Sequence, residues 1–404
     1  MKGTVMAVDV AVIGAGVVGA ACAHALTARG LRVAVIDRSS AASGTSSHCE
    51  GNLLVSDKGP GPELDLARHS LALWRQLAPQ LADDLGPAVP PVEFEPKGGL
   101  VVTITAEGAQ PLIDFAAQQR VAGVDARVVS LAQARELEPW LNPDITAAVY
   151  YPEDCQVQPT IATEALLAAA RRRGAVSYFH HEVTGLITGK DGRVTGVRTD
   201  RADIPAASVV LAAGPWTGEL ATRLGAGVPV WPRRGNVLVT TRMPHSVFHK
   251  VYDGDYFGAT QSSDAALQTA AVIESTQAGT VLIGSSREQV GFDNSMRVEV
   301  YAEMAKKALR VFPFLADAGI MRAYGGFRPF VPDHLPIIGP DARMPGLYHA
   351  SGHEGAGIGL SVATAELVAA AITADSPRSP LGPIDPAPFA VQRPSLQAYL
   401  EEAA

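Results

Sequence analysis

Only three of the 404 residues are cysteine: Cys22, Cys49 and Cys155. Their spacing matches no metal-ligand pattern. So small and odd a number excludes a disulfide framework and fits a reducing, cytoplasmic setting. It also leaves too few thiolates for a four-cysteine iron–sulfur cluster within the chain. Basic charge is scarce. Lys and Arg number 33 against 41 Asp and Glu, a net charge of -8, which argues against a nucleic-acid or anionic-membrane surface. The one basic run, at 171–173, closes a predicted helix just before Gly174, where cations complement the helix dipole. Internal repeats and low-complexity linkers are absent. Residues 4–26 carry few charges, but Asp9 and the glycine spacing read as a soluble, buried βα unit rather than a signal peptide or membrane span. The apolar segment near 355–373 begins among glycines and reads as a buried core helix.

What is present begins at residue 8. Val8 to Ile13 is a short apolar run of strand character, followed by Gly14, Gly16 and Gly19 in G-x-G-x-x-G spacing and an Ala-rich helical segment to Arg29. Gly30 stops that helix, and Leu31 to Ile36 form a second strand ending in Asp37. In this βαβ unit Gly14 permits the tight turn, Gly16 lets the backbone approach a pyrophosphate, and Gly19 allows close helix–strand packing. The helix start, at Val17, offers free N–H groups and a partial positive charge to phosphates. Asp37 stands where a carboxylate accepts hydrogen bonds from a ribose. The unit binds a dinucleotide; the alternative is the same fold binding a mononucleotide or nothing.

Further along, a small-residue loop at 39–54 suits close backbone approach to a ligand. Helices are predicted over Glu63–Leu77, Gly108–Val121, Pro159–Arg173 and 297–312. Strands are predicted at 98–105, 175–179, 183–188, 193–199, 208–212, 323–331 and 347–351. Between Arg233 and Gly284 the pattern changes to alternating strands of an antiparallel sheet. The expected architecture is α/β. A Rossmann-type nucleotide-binding domain is discontinuous over 1–87, 145–230 and 320–404, and an inserted, mostly antiparallel α+β domain occupies 88–144 and 231–319.

The ordered set GAGVVG with Asp37-Arg38, SGTSSHCEGN, YPEDCQVQPTIATEALLAAARRRGA, VVLAAGPWTGELA, GGFRPFVPDHLPIIGP and SGHEGAGIGLS spans nearly the whole chain. It resembles the D-amino-acid-oxidase-like superfamily of FAD-dependent amine oxidoreductases, which implies that the nucleotide-binding domain is a glutathione-reductase-like FAD-binding domain and the inserted one a substrate domain. Within that superfamily, the chain resembles the branch of glycine oxidase, opine oxidase, hydrogen cyanide synthase and the beta subunit of D-hydroxyproline dehydrogenase. The resemblance implies that Thr45, Ser46 and Ser47 meet the pyrophosphate or flavin side of FAD, with Arg38, Gly51, Asn52, Ala213 and Gly214 also on the cofactor. It implies that the backbone of Val183 contacts adenine. It also implies that Gly355, Gly357 and Ile358, at the start of the last long helix, face the reduced flavin, where unhindered N–H groups stabilise negative charge. A tight helix-packing turn is the alternative for those glycines.

Arg328, in a rather apolar strand, needs an anion. A substrate carboxylate held bidentately satisfies it, and the superfamily places its carboxylate-binding arginine at the matching position. A structural ion pair with Asp333 is the alternative. His48 and His353 sit in small-residue loops expected near the flavin, where either could polarise the cofactor or take a proton from the substrate ammonium. Either could equally be a hydrogen-bonded structural histidine. Glu50 and Glu354 are weaker candidates of the same kind. Tyr252 and Tyr256 resemble the tyrosines that lid the active site, with core packing as the alternative. Some sarcosine oxidases carry a flavin-linking cysteine in the segment matching GGFRPFVPD. This chain has none there, so the FAD is expected to be non-covalent, with His48 the residue for a histidyl link otherwise.

The implied reaction is oxidation of a small amino acid or secondary amino acid to the imine. The preferred substrate is cis-4-hydroxy-D-proline or a related D-amino acid. A glycine- or sarcosine-oxidase-like enzyme making peroxide, or an opine oxidase subunit, is the alternative. Partner subunits carrying a second flavin and an iron–sulfur cluster are implied by the dehydrogenase resemblance. A nicotinamide-dependent dehydrogenase shares the N-terminal fingerprint but leaves the glycine-led C-terminal helix unexplained.

Overall fold

The glycine fingerprint folds as the first turn of a parallel sheet. In the computed structural model, which describes residues 6–254 and 264–403, the strand Val8–Ile13 pairs in parallel with Val33–Asp37 on one side and Asp203–Leu211 on the other. The sheet runs Ile337–Pro340, Leu347–Ser351, Asp203–Leu211, Val8–Ile13, Val33–Asp37, Val176–Phe179. The hairpin Val183–Thr188 and Val194–Thr199 extends from Asp203–Leu211. Both faces are covered, so the strand pattern is continuously apolar rather than alternating. Side-chain alternation still assigns the faces. Val10, Val12, Val33 and Val35 pack under the helices Val17–Thr27, Pro159–Arg172 and Gly357–Thr373. Ala11, Ile13, Ala34 and Ile36 pack on the opposite face with Leu220 and Val228.

The helix predicted near 355–373 is Gly357–Thr373, entered through a short 3₁₀ turn at Glu354–Ala356. By length and composition alone the stretch Glu354–Thr373 could cross a membrane, yet 61% of its apolar 18-residue window is buried inside the fold. It packs on Val17–Thr27 and on Pro62–Leu85.

The second sheet is mostly antiparallel and runs Ile320–Phe330, Trp231–Thr240, Val281–Arg287, Gln268–Ser275, Lys250–Asp253, Gly99–Thr103, Ala147–Tyr151, Arg127–Val129. One pair, Lys250–Asp253 with Gly99–Thr103, is parallel. The helix Val298–Val311 lays Val300, Met304, Ala308 and Val311 on one face of this sheet, the i, i+4, i+8 and i+11 positions of a helical stripe. Two sequence boundaries shift here. Ala147–Tyr151 and Ile320–Phe330, assigned from the sequence to the cofactor domain, are hydrogen-bonded into the second sheet.

Other elements differ in extent. The helix expected over 63–77 runs Pro62–Leu85, with Pro79 inside it. The helix expected from Gly108 starts at Ala106, because the Thr105 side chain accepts a hydrogen bond from Gly108 N and caps it. A further helix, Leu131–Leu137, starts at a Ser130/Gln133 capping box.

Candidate active site

One cleft lies where the carboxyl ends of the first sheet's strands face the second sheet. Ile13, Ile36, Asp37 and Ala212 come from the strand ends, and Gly235, Arg287 and Arg328 from the second sheet. Ligands of open α/β sheets bind at such strand ends.

The three fingerprint glycines divide by what a Cβ would meet. At Gly14, which has φ +110°, it would stand 2.3 Å from Ala212 O, and at Gly19 it would stand 2.0 Å from Gly14 O. Those two are required by the protein's own packing. At Gly16 a Cβ would meet only Ser46 Oγ, at 3.3 Å, so the space beside Gly16 belongs to the cleft. Ser46 Oγ accepts a hydrogen bond from Val17 N at 2.9 Å, which caps the helix start from outside and keeps the hydroxyl hydrogen available as a donor. Asp37 accepts from Ala15 N and Ser39 N, both at 2.8 Å, and these bonds fix its carboxylate at the edge of the cleft. Arg38 lies over the Trp216 ring at 4.6 Å, and Trp216 stacks on Phe292.

Val183 and Glu182 line one end of the cleft, and Thr45, His48, Gly51, Asn52, Ala213 and Gly214 line its course. His353, Gly355, Gly357 and Ile358 line the other end, with Arg328. Two sequence candidates for the cofactor lie off this wall. Gly19 is spent on packing, and Ser47 Oγ donates to Gly44 O at 3.0 Å.

Arg328 projects from Ile320–Phe330, and its Nη1 donates to Ser286 O at 2.8 Å. That carbonyl orients the guanidinium without neutralising it. Asp333, the sequence's alternative partner, is instead paired with Arg393 at 2.7 Å. Arg287 approaches the same point: a Cβ on Gly355 would lie 3.5 Å from Arg328 Nε and 3.8 Å from Arg287 Nη2. Arg287 carried no sequence signal, because its neighbour in space is 41 residues away in the chain.

His353 is buried, with Nε2 at 2.9 Å from Thr364 Oγ1. Burial pulls its pKa down to about 3, so the ring is neutral at physiological pH. His48 Nδ1 lies 2.8 Å from Gly44 O. Ser47 Oγ lies 3.0 Å from the same nitrogen, so this side of the ring is bonded within its own turn. Glu354, at φ +44°, is an ion-pair partner rather than a base. Arg233 Nη1 lies 2.9 Å away and His334 Nδ1 3.4 Å away. Burial opposes ionisation of Glu354, but the His334 hydrogen bond and the charges of Arg287 and Arg233 outweigh it and hold the pKa below the usual carboxylate value.

Tyr252 does not reach the cleft. It is fully buried and donates its hydroxyl to Ser56 Oγ, which donates to Asp154. Its strand lies between Gly99–Thr103 and Gln268–Ser275, and this register turns the ring into the interior with Tyr151. Tyr256 lies outside the described residues.

Residues 9–371 match the family DAO, FAD dependent oxidoreductase. Hydrogen cyanide synthase subunit HcnC of Pseudomonas aeruginosa is 29% identical over 95% of this chain and 96% of its own length. Glycine oxidase of Geobacillus kaustophilus is 31% identical over 89% of this chain and 92% of its own. The crystal structure of glycine oxidase from Geobacillus kaustophilus superposes with a TM-score of 0.84 at 27% identity, covering 96% of this chain and 98% of that one.

Proposed function

The chain belongs to the DAO family of FAD-dependent oxidoreductases, and on that premise we propose that it oxidises the amine of a small amino acid or secondary amino acid to the imine. The observation that carries this reading is the Arg328 guanidinium beside Arg287 at the head of the glycine-led helix.

The cleft's fit to FAD rests on Gly16, whose absent Cβ leaves room that the protein does not itself fill. Gly14, Gly16, Val17 and Ser46 would hold the pyrophosphate, Asp37 the ribose and the Val183 backbone the adenine. Gly355, Gly357 and Ile358 would border the flavin, held without a covalent link. Bound FAD supplies the two-electron acceptor.

Arg328 clamps the substrate carboxylate through paired N–H donors and so fixes the direction of the Cα–H bond. The Arg287 charge adds to the same anion site. N–H groups at the Gly357–Thr373 helix start favour negative charge beside it. His353 packs this end as a neutral ring. His48, on the cleft wall, is suited to take a substrate proton.

For the substrate itself, cis-4-hydroxy-D-proline is our choice among cyclic secondary amines. Glycine is the primary-amine alternative, favoured by the glycine oxidase relatives. Work as one subunit of a larger assembly is supported by HcnC being a synthase subunit. A substrate screen by dye reduction, with peroxide measured in parallel, tests the reading. Reduction by one or a few small amino acids is expected, and peroxide separates oxidase from dehydrogenase. A holoenzyme that no amino acid reduces overturns it.

A further inference from the structure

The turn His48–Gly51 is pressed into the cleft by glycines on three separate segments. A Cβ on Gly326 would lie 2.7 Å from His48 Cβ, and one on Gly51 would lie 1.9 Å from Val157 O. One on Gly284 would lie 2.3 Å from Glu50 Oε1. The chain thus makes room at Gly284 for a carboxylate that lines the same cleft as Arg328.

That carboxylate is poorly served by the protein. Glu50 Oε1 is shut off from solvent and has no hydrogen-bond partner among the described residues. Its Oε2 has one long contact, 3.5 Å, from the Asn52 amide. The Asn52 carbonyl oxygen is taken by Lys250 Nζ, which turns the amide nitrogen of Asn52 toward Glu50. Lys250 is itself paired with Glu274 at 2.7 Å. The cation nearest through this chain of bonds is therefore committed elsewhere, and Glu50 forms no ion pair among the described residues. Glu50 as a whole is half-buried, and a carboxylate with one oxygen kept from water and only one long contact to the other is poorly compensated until a ligand supplies a donor.

We propose that Glu50 receives the substrate's ammonium group, so that Glu50 and Arg328 read an α-amino acid by its two opposite charges. This rests on the amino-acid reading above and adds a specificity residue to it. Amino acids with a basic nitrogen on Cα are accepted. N-acyl amino acids and plain carboxylic acids, which lack the cation, are disfavoured.

The test uses holoenzyme reduced with dithionite, so that nothing turns over, and calorimetric titration with glycine and with acetate. The two ligands differ only in the ammonium. Wild type is expected to bind glycine more tightly than acetate. Glu50→Gln, which keeps the shape and removes the charge, should weaken glycine about tenfold or more and leave acetate unchanged or tighter. The acetate arm reports that the site is intact. Unchanged glycine affinity in Glu50→Gln overturns the proposal. So does equal loss of both ligands, or a wild type that binds acetate as well as glycine. Arg328→Ala, expected to weaken both, checks the underlying reading separately. If it weakens neither, the carboxylate assignment fails whatever Glu50 does.

Discussion

Arg328 lays its guanidinium diagonally over Gly235, whose partner across the paired strands is Gly326, and a Cβ on Gly235 would stand 2.0 Å from Arg328 Nη1 and 2.4 Å from its Cζ. The guanidinium lies flat on the one residue of Trp231–Thr240 without a side chain. A single methyl there must push it off the cleft wall. Gly235→Ala is therefore expected to raise KM for the amino-acid substrate about tenfold or more, the worth of a charge-assisted hydrogen bond, with FAD content unchanged. Steady-state kinetics beside a flavin-to-protein ratio checks it. An unaltered KM means that the guanidinium does not act from this position.

The fingerprint glycines should part company on mutation. Gly16→Val should fold with a Tm near that of FAD-stripped wild type yet purify without FAD, because its side chain fills cleft rather than core. Gly19→Val should fail to fold or lose much of its stability, since even a Cβ would overlap Gly14 O at 2.0 Å. Absorbance of the purified proteins and thermal melts separate the two. Normal FAD content in Gly16→Val contradicts the cofactor placement.

This division shows what the chain's sequence displays and what it hides. The βαβ unit was legible because each of its signals is local: an apolar run, glycines at fixed offsets and a terminal acid. Arg328 was legible because a charge stands out in an apolar strand. Gly235, Arg287 and the Arg233–Glu354 pair were not, since they meet through strand register across tens of residues. Tyr252 was misread for the same reason. Its sequence neighbourhood suits a lid, but its strand is interior to the sheet. Residues 147–151 and 320–330 were placed with the cofactor domain, whereas their strands pair in the second sheet, because local sequence does not show which partner a strand takes.

Asp154 makes stability pH-dependent. It is fully buried, and burial raises its pKa to about 7 despite hydrogen bonds from Ser56 and Val55. The unfolded chain's aspartate titrates at about 3.9. The folded state therefore binds the proton more tightly. That contribution is full below about pH 4 and is lost as pH rises through about 7. Asp154→Asn, which cannot ionise, should show a smaller fall in Tm between pH 5 and pH 8 than wild type. An equal or larger fall contradicts the assignment.

His353 should leave no mark on the pH–rate profile. With burial holding its pKa near about 3, it is neutral across the range in which kcat/KM is measured. In His353→Asn the acidic limb of kcat/KM should keep its midpoint even if the rate falls. Loss or displacement of that limb would make His353 the titrating base.

The central claim is that Arg328 holds the carboxylate of an amino acid beside the flavin. The most direct measurement is titration of acetate into wild-type and Arg328→Ala holoenzyme, followed through perturbation of the flavin absorption band. A dissociation constant raised at least about tenfold in the variant, with the unliganded flavin spectrum and Tm preserved, is the expected result. Equal affinity in the two proteins would contradict it and leave Arg328 a structural residue bonded to Ser286 O.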